Sequence, residues 1–392
     1  MRLISPPEIK GKKILLRLDL NVDIGDDGQI LNSFRIEKII PTLEFLLNYQ
    51  PDKIIIISHL KRPQLPQDRN NPLFSLKPVA QYLENRLAKK VYFLIDDLEK
   101  ENDLKEKIKL LPQNALIMLE NIRFYEGEEK NDLDFARKLA VLGNIYINDA
   151  FSVAHRKGAS TCAIIGLLPS FLGPLFVSEI EHLDQLKNSS EKILLILGGA
   201  KIKDKLGLIN LFFDRAKKIL IGGAIANTLL KGRGIIIGQS YFEAEMLDVE
   251  KNWSEENRNK IILPLDVKIL TPQGVKEKEI QELSVEDNIL DIGSKTIEKF
   301  KEFIKEAKFI FYNGPMGKLE DSRFQIGTQQ ILEAIFNNKT AQTVIGGGET
   351  MMGLKLLNLK QINNPKVFLS TGGGAMLAYL SGQELEALKA II

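Results

Sequence analysis

The sequence predicts an α/β protein built from two doubly wound parallel-sheet domains, and three observations carry that expectation. Short β-branched runs alternate with longer stretches of helical periodicity along all 392 residues, the pattern of repeated βα units. The alternation runs twice, and an amphipathic stretch, Val177–Lys187, separates the two sets. The residues that follow each predicted strand also change type between the halves, from cations and histidines to glycines.

The run Lys13–Leu18 opens the series. From Leu16 onward the chain alternates: Leu16, Leu18, Leu20 and Val22 point one way, Arg17, Asp19 and Asn21 the other. A buried strand thus gains a face of cation, carboxylate and amide at its end. Lys53–Ser58, Ala115–Leu119 and Asn144–Asn148 read as further buried strands, with helical periodicity at Ser75–Lys89 and Asp132–Leu142. Parallel strands covered on both faces are near-continuous apolar runs, as these are. Gly158 to Ser178 carries no charge, a length that could span a bilayer. Pro169, Pro174, Gly166 and Gly173 would break a lone spanning helix, so this stretch reads as a buried connector. Val177–Lys187 reads as a helix bridging two domains. Strands resume at Lys192–Leu197, Lys217–Ile221, Ile261–Leu263, Phe309–Tyr312, Thr343–Ile345 and Val367–Ser370. The expected domains are residues 1–175 and 176–375, the second beginning with the bridging helix.

Composition narrows the function. At 44% hydrophobic content the chain can bury large cores, and ~150 residues per domain suits two or three domains. The net charge is +2, with Lys and Arg scattered, so no nucleic-acid or membrane partner is expected and any anion site must be local. One cysteine, Cys162, rules out an intrachain disulfide framework and argues against a structural zinc cluster, which suits a reducing, cytoplasmic setting. The N-terminal MRLISPPEIKGKK has no apolar core before a small-residue cleavage site, so no secretory leader is expected.

In doubly wound sheets, ligands sit beyond the carboxyl ends of the strands. In the first half those turns carry Arg17, Arg35, His59, Arg62, Arg123, His155 and Arg156. One arginine after a strand is ordinarily a solvated cation; five on one lobe point to an anion, and the histidines beside them become phosphate donors. In the second half the turns read LGGAK, IGGA, IGGGET and STGGGA, and 21 of the 29 glycines lie beyond residue 175. Glycine turns let backbone N–H groups and helix N-termini approach a phosphate chain. Neither GxxxxGK[ST] nor a strand-linked GxGxxG is present, which counts against a P-loop NTPase and a dinucleotide dehydrogenase. Lys201 and Lys205, four apart in GGAKIKDK, would share a helix face as point charges along a phosphate chain. One lobe thus looks built for a small acid and the other for a nucleotide.

In order and spacing, RLDLNV, SHLKRP, SLKPVA, LENIRFYEGEEKND, NDAFSVAHR, LGGAKIKDK, YNGPMG, IGGGET and STGGGA resemble the motif series of the phosphoglycerate kinase family. The resemblance runs from about Lys13 to the C-terminus without a large gap. It implies two Rossmann-like domains facing each other across a hinged cleft, with a C-terminal tail, about 376–392, packed back on the first. It also implies phosphoryl transfer between 1,3-bisphosphoglycerate and ADP, giving 3-phosphoglycerate and ATP in glycolysis and gluconeogenesis, by a cytoplasmic monomer requiring Mg²⁺. On matching positions, Asp19 and Asn21, supported by Arg17, would bond the glycerate hydroxyl and carboxyl region, and Arg35 would face the reacting carboxyl. His59, Arg62, Arg123 and Arg156 would hold the 3-phosphate. Gly199, Ala200, Gly222 and Gly223 resemble the adenosine pocket, Glu320 the ribose contact, Lys201 and Lys205 the phosphate lysines and Asn313 the triphosphate-side amide. Gly346, Gly347, Gly348, Glu349 and Thr350 would form the helix start at the transferring group, with Glu349 at the metal. Gly372, Gly373 and Gly374 would lie on the substrate side.

That chemistry needs no base, because a carboxylate or ADP oxygen is already ionised at neutral pH. Catalysis reduces to alignment and charge neutralisation, for which Arg35, Lys201 and the backbone N–H groups of Gly347 and Gly348 are suited. The sequence departs from the family pattern in three places: Lys61 stands where glycine is common, Gly158 where many members carry histidine, and Glu349 where the metal-binding residue is usually aspartate. Two alternatives stay open, a two-lobed organic-acid binding protein and a kinase of another carboxylate.

Overall fold

The computed structural model describes residues 3–25, 27–65, 67–69, 71–357, 363–389 and 391. The chain divides into two units: unit one is Met1–Glu181 with Gly382–Ile392, and unit two is His182–Ser381.

Unit one is built on a wholly parallel sheet of β1 (Lys13–Arg17), β2 (Lys53–Ile57), β3 (Val91–Leu94), β4 (Ala115–Leu119), β5 (Ile145–Asn148) and β6 (Ser170–Leu172). Their order is β3-β4-β2-β1-β5-β6. Every residue of β2 and β4 is buried, so both faces of the sheet are covered. Ile14, Leu16, Ile54, Ile56, Leu116, Met118, Ile145 and Ile147 form one face of a core with Ile36, Ile39, Leu43, Val79 and Leu83 from two helices. Burying each such side chain contributes roughly 1.5–3 kcal/mol. Those helices are α1 (Phe34–Asn48) and α2 (Lys77–Leu87). After α3 (Glu101–Leu110) comes α4 (Leu133–Ala140), which starts where predicted because Asp132 caps the Phe135 N–H at 2.7 Å. The charge-free stretch 158–178 is not a plain connector: it holds β6 at the sheet edge and opens α5 (Pro174–Asn188). Among the described residues, no helix is long and apolar enough to cross a membrane. The chain passes from unit one to unit two within α5, and Gly382–Ile392 rejoins unit one, where the Ala387 N–H donates to the Ala154 carbonyl at 3.1 Å.

Unit two repeats the logic with β7 (Ile193–Leu197), β8 (Ala216–Ile221), β9 (Ile261–Ile262), β13 (Phe309–Asn313), β14 (Gln342–Gly346) and β15 (Val367–Leu369). All are parallel, in the order β15-β14-β13-β7-β8-β9. Its helices include α6 (Leu206–Phe212), α7 (Gly223–Gly232), α8 (Ser294–Glu306), α9 (Ile326–Asn337), α10 (Gly348–Gly353) and α11 (Gly374–Leu380). Between β9 and β13 the chain forms a feature absent from the sequence reading, an antiparallel sheet of β10 (Asp266–Thr271), β11 (Gly274–Glu279) and β12 (Ile289–Ile292). Its β11 is largely exposed Lys and Glu, so a search for buried β-branched runs passes over it.

In each unit there is one place where successive connections leave in opposite directions. It falls between β1 and β5 in unit one and between β7 and β13 in unit two. These switch points are where such sheets open a crevice for ligands.

Candidate active site

Arg17, the last residue of β1, pairs with Ile57 and with Asn148, so the segments leaving β1, β2 and β5 emerge side by side. Leu18, Leu20 and Val22 stay buried beyond the strand, and so do Arg17 and Asp19, while Asn21 is half-buried. Arg17 is 2% exposed. It donates from Nε to Ser160 Oγ at 2.9 Å and also to the Leu18 carbonyl, and its other nitrogen lies 3.2 Å from His59 Nδ1. An arginine can only donate, so His59 Nδ1 accepts. Burial first, then Arg17, Arg123 and Arg35, hold the His59 pKa well below its ordinary value despite Asp19. His59 is a neutral ring behind Arg17.

Asp19 accepts from Arg35, from the Ser152 hydroxyl and, at 3.1 Å, from the Asn21 N–H. Burial opposes its charge, but Arg35 and these bonds keep its pKa below the ordinary carboxylate value. Arg35, in the first turn of α1, is thereby oriented. Asn21 Oδ1 accepts from the Lys61 N–H at 2.7 Å. Lys61 has φ +52°, the left-handed conformation that glycine takes without strain. The lysine-for-glycine departure therefore keeps the glycine backbone.

Arg17, Arg62, Arg123, Arg156 and Lys157 line a cavity of about 310 Å³, with Glu128, Glu129 and Gly158 also in its wall. Burial lowers the Arg123 pKa and Arg156, Arg17 and Arg62 lower it further, against Glu129. Cations crowded in this way are relieved by an anion that accepts forked bonds from several of them, as phosphate does. Glu128 is occupied by Ser160, accepting from its N–H at 2.9 Å and its Oγ at 2.7 Å. A Cβ on Gly158 would stand 3.0 Å from Glu128 Oε1, so a histidine would enter this wall only if Glu128 moved. Neither His59 nor His155 lines the cavity. His155 Nε2 instead accepts from Arg156 Nε at 3.2 Å.

In unit two, three turns meet backbone to backbone at the β7/β13 switch point. Gly199 N–H donates to Pro315 O at 2.8 Å, Gly223 N–H to Met316 O at 2.9 Å, and Ile225 N–H to Gly199 O at 3.2 Å. A Cβ on Gly198 would lie 2.0 Å from Pro315 O, and one on Gly223 2.7 Å from Gly199 N. Gly223 also has φ +62°, so both space and conformation demand glycine there. Gly222 precedes α7 with Met316 packed against it.

Asn313 ends β13, paired with Leu197 and Gly346, and its Oδ1 accepts from Lys205. Burial lowers the Lys205 pKa, while Glu349 and Asp204 oppose that. The expectation that Lys201 and Lys205 share a helix face is corrected. The Lys205 and Leu206 N–H groups both bond the Ile202 carbonyl, at 2.8 and 3.0 Å. This tight turn delays the helix to Leu206, and Lys201 is exposed ahead of it. Gly347, with φ +96°, caps α10. The Thr350 hydroxyl on that helix accepts from the Gly314 N–H at 2.6 Å. Glu349 is exposed, with Oε2 3.4 Å from the point a Gly199 Cβ would occupy. Gly373 caps α11, and Met376 on that helix packs over Gly346, so Gly372–Gly374 adjoin the Gly346–Gly348 turn.

A second cavity, of about 520 Å³, lies wholly in unit two. Gly199, Ala200, Gly223, Met316, Glu320 and Glu349 line it, and so do Val267, Ile289 and Asp291 of the antiparallel sheet. A mainly apolar slot rimmed by a few polar groups suits a flat base with a polar tail. The structure also brings in residues that sequence reasoning passed over. Ser152, Ser160 and Glu128 support the arginines, directly or through Asp19; Ser152 and Glu128 lie inside the quoted motifs and Ser160 outside them, and none of the three carries a signal of its own in the sequence.

A phosphoglycerate kinase family model matches residues 4–383. The phosphoglycerate kinase of Dictyoglomus turgidum is 39% identical over 388 residues, covering 96% of this chain and 95% of its own. That of Staphylococcus haemolyticus is 38% identical over 401 residues, covering 100% of this chain and 98% of its own. Two solved structures share the fold. Phosphoglycerate kinase from Coxiella burnetii has TM-score 0.80 and 32% identity, covering 98% of this chain and 96% of that one. The enzyme from Pyrococcus horikoshii has TM-score 0.84 and 28% identity, covering 100% and 98%. With both sheets, both switch points and nearly every residue included in these matches, the chain belongs to the phosphoglycerate kinase family, phosphotransferases whose acceptor is a carboxyl group.

Proposed function

We propose that the chain transfers a phosphoryl group between 1,3-bisphosphoglycerate and ADP, giving 3-phosphoglycerate and ATP, with the acid held by unit one and the nucleotide by unit two. The observation that carries this reading is the division of labour between the two cavities: crowded guanidinium groups in one, glycine turns and an apolar slot in the other. Arg62, Arg123 and Arg156, with Arg17 behind them, hold the non-transferred phosphate. Asp19 and Asn21 take the glycerate end, and Arg35 faces the carboxyl. In the ATP-forming direction an ADP β-phosphate oxygen attacks the acyl phosphorus; the bond from phosphorus to the carboxyl oxygen breaks, and the carboxylate leaves with the electron pair. No proton moves, so alignment and charge neutralisation are what the protein supplies. Arg35, Lys201 and the N–H groups of Gly347 and Gly348 neutralise the transferring oxygens.

Among the described residues no three His, Cys, Asp or Glu side chains cluster as a complete metal site. The exposed Glu349 carboxylate beside Gly199 and Lys205 suits Mg²⁺, which takes one or two protein carboxylates and fills its shell with phosphate oxygens and water. When bound, the ion supplies charge neutralisation along the phosphate chain. Because one reaction draws on both units, the units close on each other before transfer, which also excludes water. The setting is the cytoplasm and the active form is a monomer.

The test is a coupled assay of MgATP consumption with 3-phosphoglycerate, run beside other hydroxy acids. Turnover confined to 3-phosphoglycerate is expected. Equal turnover of another carboxylate, or binding without turnover, would overturn the reading.

A further inference from the structure

Asp149 lines neither cavity, yet it is 1% exposed and three elements converge on it. Its N–H donates to the carbonyl of Arg17, at the end of β1, at 2.9 Å. Its Oδ2 accepts from the Thr42 hydroxyl at 2.6 Å, and its Oδ1 accepts from the Phe176 N–H at 2.8 Å. Among the described residues no ion pair reaches it.

Each arm matters for the site. Thr42 lies on α1 two turns after Arg35, and residues so spaced share a helix face. Phe176 is in the first turn of α5, the helix within which the chain leaves unit one. The Gly173 carbonyl accepts the first bond of that helix, from the Val177 N–H at 3.1 Å. Gly173 offers no side chain to cap the helix start, and Pro174 has no N–H. A Cβ on Gly173 would stand 2.4 Å from Asp149 Oδ1; the distant carboxyl occupies the place of a capping side chain. Three residues beyond Asp149, Ser152 donates to Asp19, which also takes Arg35. The segment 149–152 therefore grips α1 twice, at Thr42 and, through Asp19, at Arg35.

We propose that Asp149 is a positioning residue for phosphoryl transfer: it locks the start of α5 to α1, so that Arg35 and the helix leading into the nucleotide-holding unit move as one body. This rests on the function proposed above, in which Arg35 acts at the transferring group. It assigns Asp149 a role on kcat without any contact to either substrate.

Thr42→Val cuts one arm while keeping shape, and Thr42→Ser keeps the hydroxyl. With 3-phosphoglycerate and MgATP, Thr42→Val is expected to lower kcat roughly 10-fold or more, the scale of a small misplacement at the reacting centre. Both KM values should stay within about twofold, because neither substrate loses a contact, and Thr42→Ser should restore kcat. Gly173→Ala, which presses on the carboxyl from the α5 side, is the second variant and carries the same expectation if Thr42→Val does not fold. A merely structural role predicts a lower Tm with kcat unchanged at 25 °C, and that result would overturn the inference. So would a loss confined to KM. A wild type without turnover would instead bring down the functional reading, and this inference with it.

Discussion

Lys61 and Asn21 show what the residue scale adds to a motif. The alternation Arg17, Asp19, Asn21 is plain in the sequence, and it placed a cation, a carboxylate and an amide on one side. What it could not show is that Asn21 holds the backbone of Lys61 in a left-handed turn, or that the ring of His59 stands behind Arg17 rather than on the cavity wall. Those facts depend on segments about forty residues apart. Two predictions belong at this scale. Arg35→Ala should lower kcat at least ~100-fold with little change in nucleotide KM, since its charge is needed most in the transition state; steady-state kinetics showing kcat within threefold of wild type would contradict its placement. The second concerns buried carboxyls. Burial pushes Asp149 up to about 6 and Asp291 up to about 7, so their stabilising contribution is complete below pH ~4 and is lost as pH rises through those values. Asp19, with its pKa lowered, behaves oppositely: its contribution is present above its ordinary pKa and lost as pH falls. Asp291→Asn is neutral at every pH. Urea denaturation should therefore show the wild type losing on the order of 2–4 kcal/mol relative to Asp291→Asn between pH 4 and 8. A difference independent of pH would refute the assignment.

At the scale of elements, legibility depends on where a helix finds its cap. The start of α4 was readable because Asp132 adjoins it. Three other helices take their caps from far along the chain: Asp149 serves α5, Asp266 bonds the Lys295 and Thr296 N–H groups of α8 at 2.9 and 2.8 Å, and Asp291 bonds the Gly327 N–H of α9 at 2.8 Å. In each case a glycine packs against the carboxyl, so that a Cβ on Gly173, Gly293 or Gly327 would lie 2.2–2.4 Å from it. A local search for Ser, Thr, Asp or Asn before a helix finds none of these. The antiparallel sheet was missed for a related reason, since its exposed charged face hides a short buried one. Asp266→Ala should cost about 2–4 kcal/mol, the loss of a cap plus stranded N–H groups, while leaving the affinity for MgADP unchanged. Urea melts and calorimetry check both halves, and a destabilisation below ~0.5 kcal/mol would show that α8 needs no such partner.

For the whole molecule, the sequence carried the two-sheet plan because parallel strands buried on both faces leave an unmistakable run of β-branched residues. It did not carry strand order, and hence not the reason Arg17, at the end of β1, and Arg156, beyond the end of β5, reach one cavity: the switch point brings together strand ends far apart in the chain, as it does Arg17 and Asn148. Closure follows from the proposed function, since substrates held by different units must meet. Small-angle scattering should give a smaller radius of gyration with both ligands than with either alone, and an unchanged profile at saturation would argue against closure. The division of labour itself is open to a crossed calorimetric titration of Arg156→Ala and Gly223→Ala with 3-phosphoglycerate and with MgADP. Removing the arginine deletes a charge-assisted contact worth roughly 1.5–3 kcal/mol, so Arg156→Ala should bind 3-phosphoglycerate at least ~10-fold more weakly and MgADP as the wild type does. Gly223→Ala should show the reverse, because its methyl forces apart the turns that line the second cavity. If either variant loses both ligands equally while remaining folded, the two cavities do not divide the substrates between them.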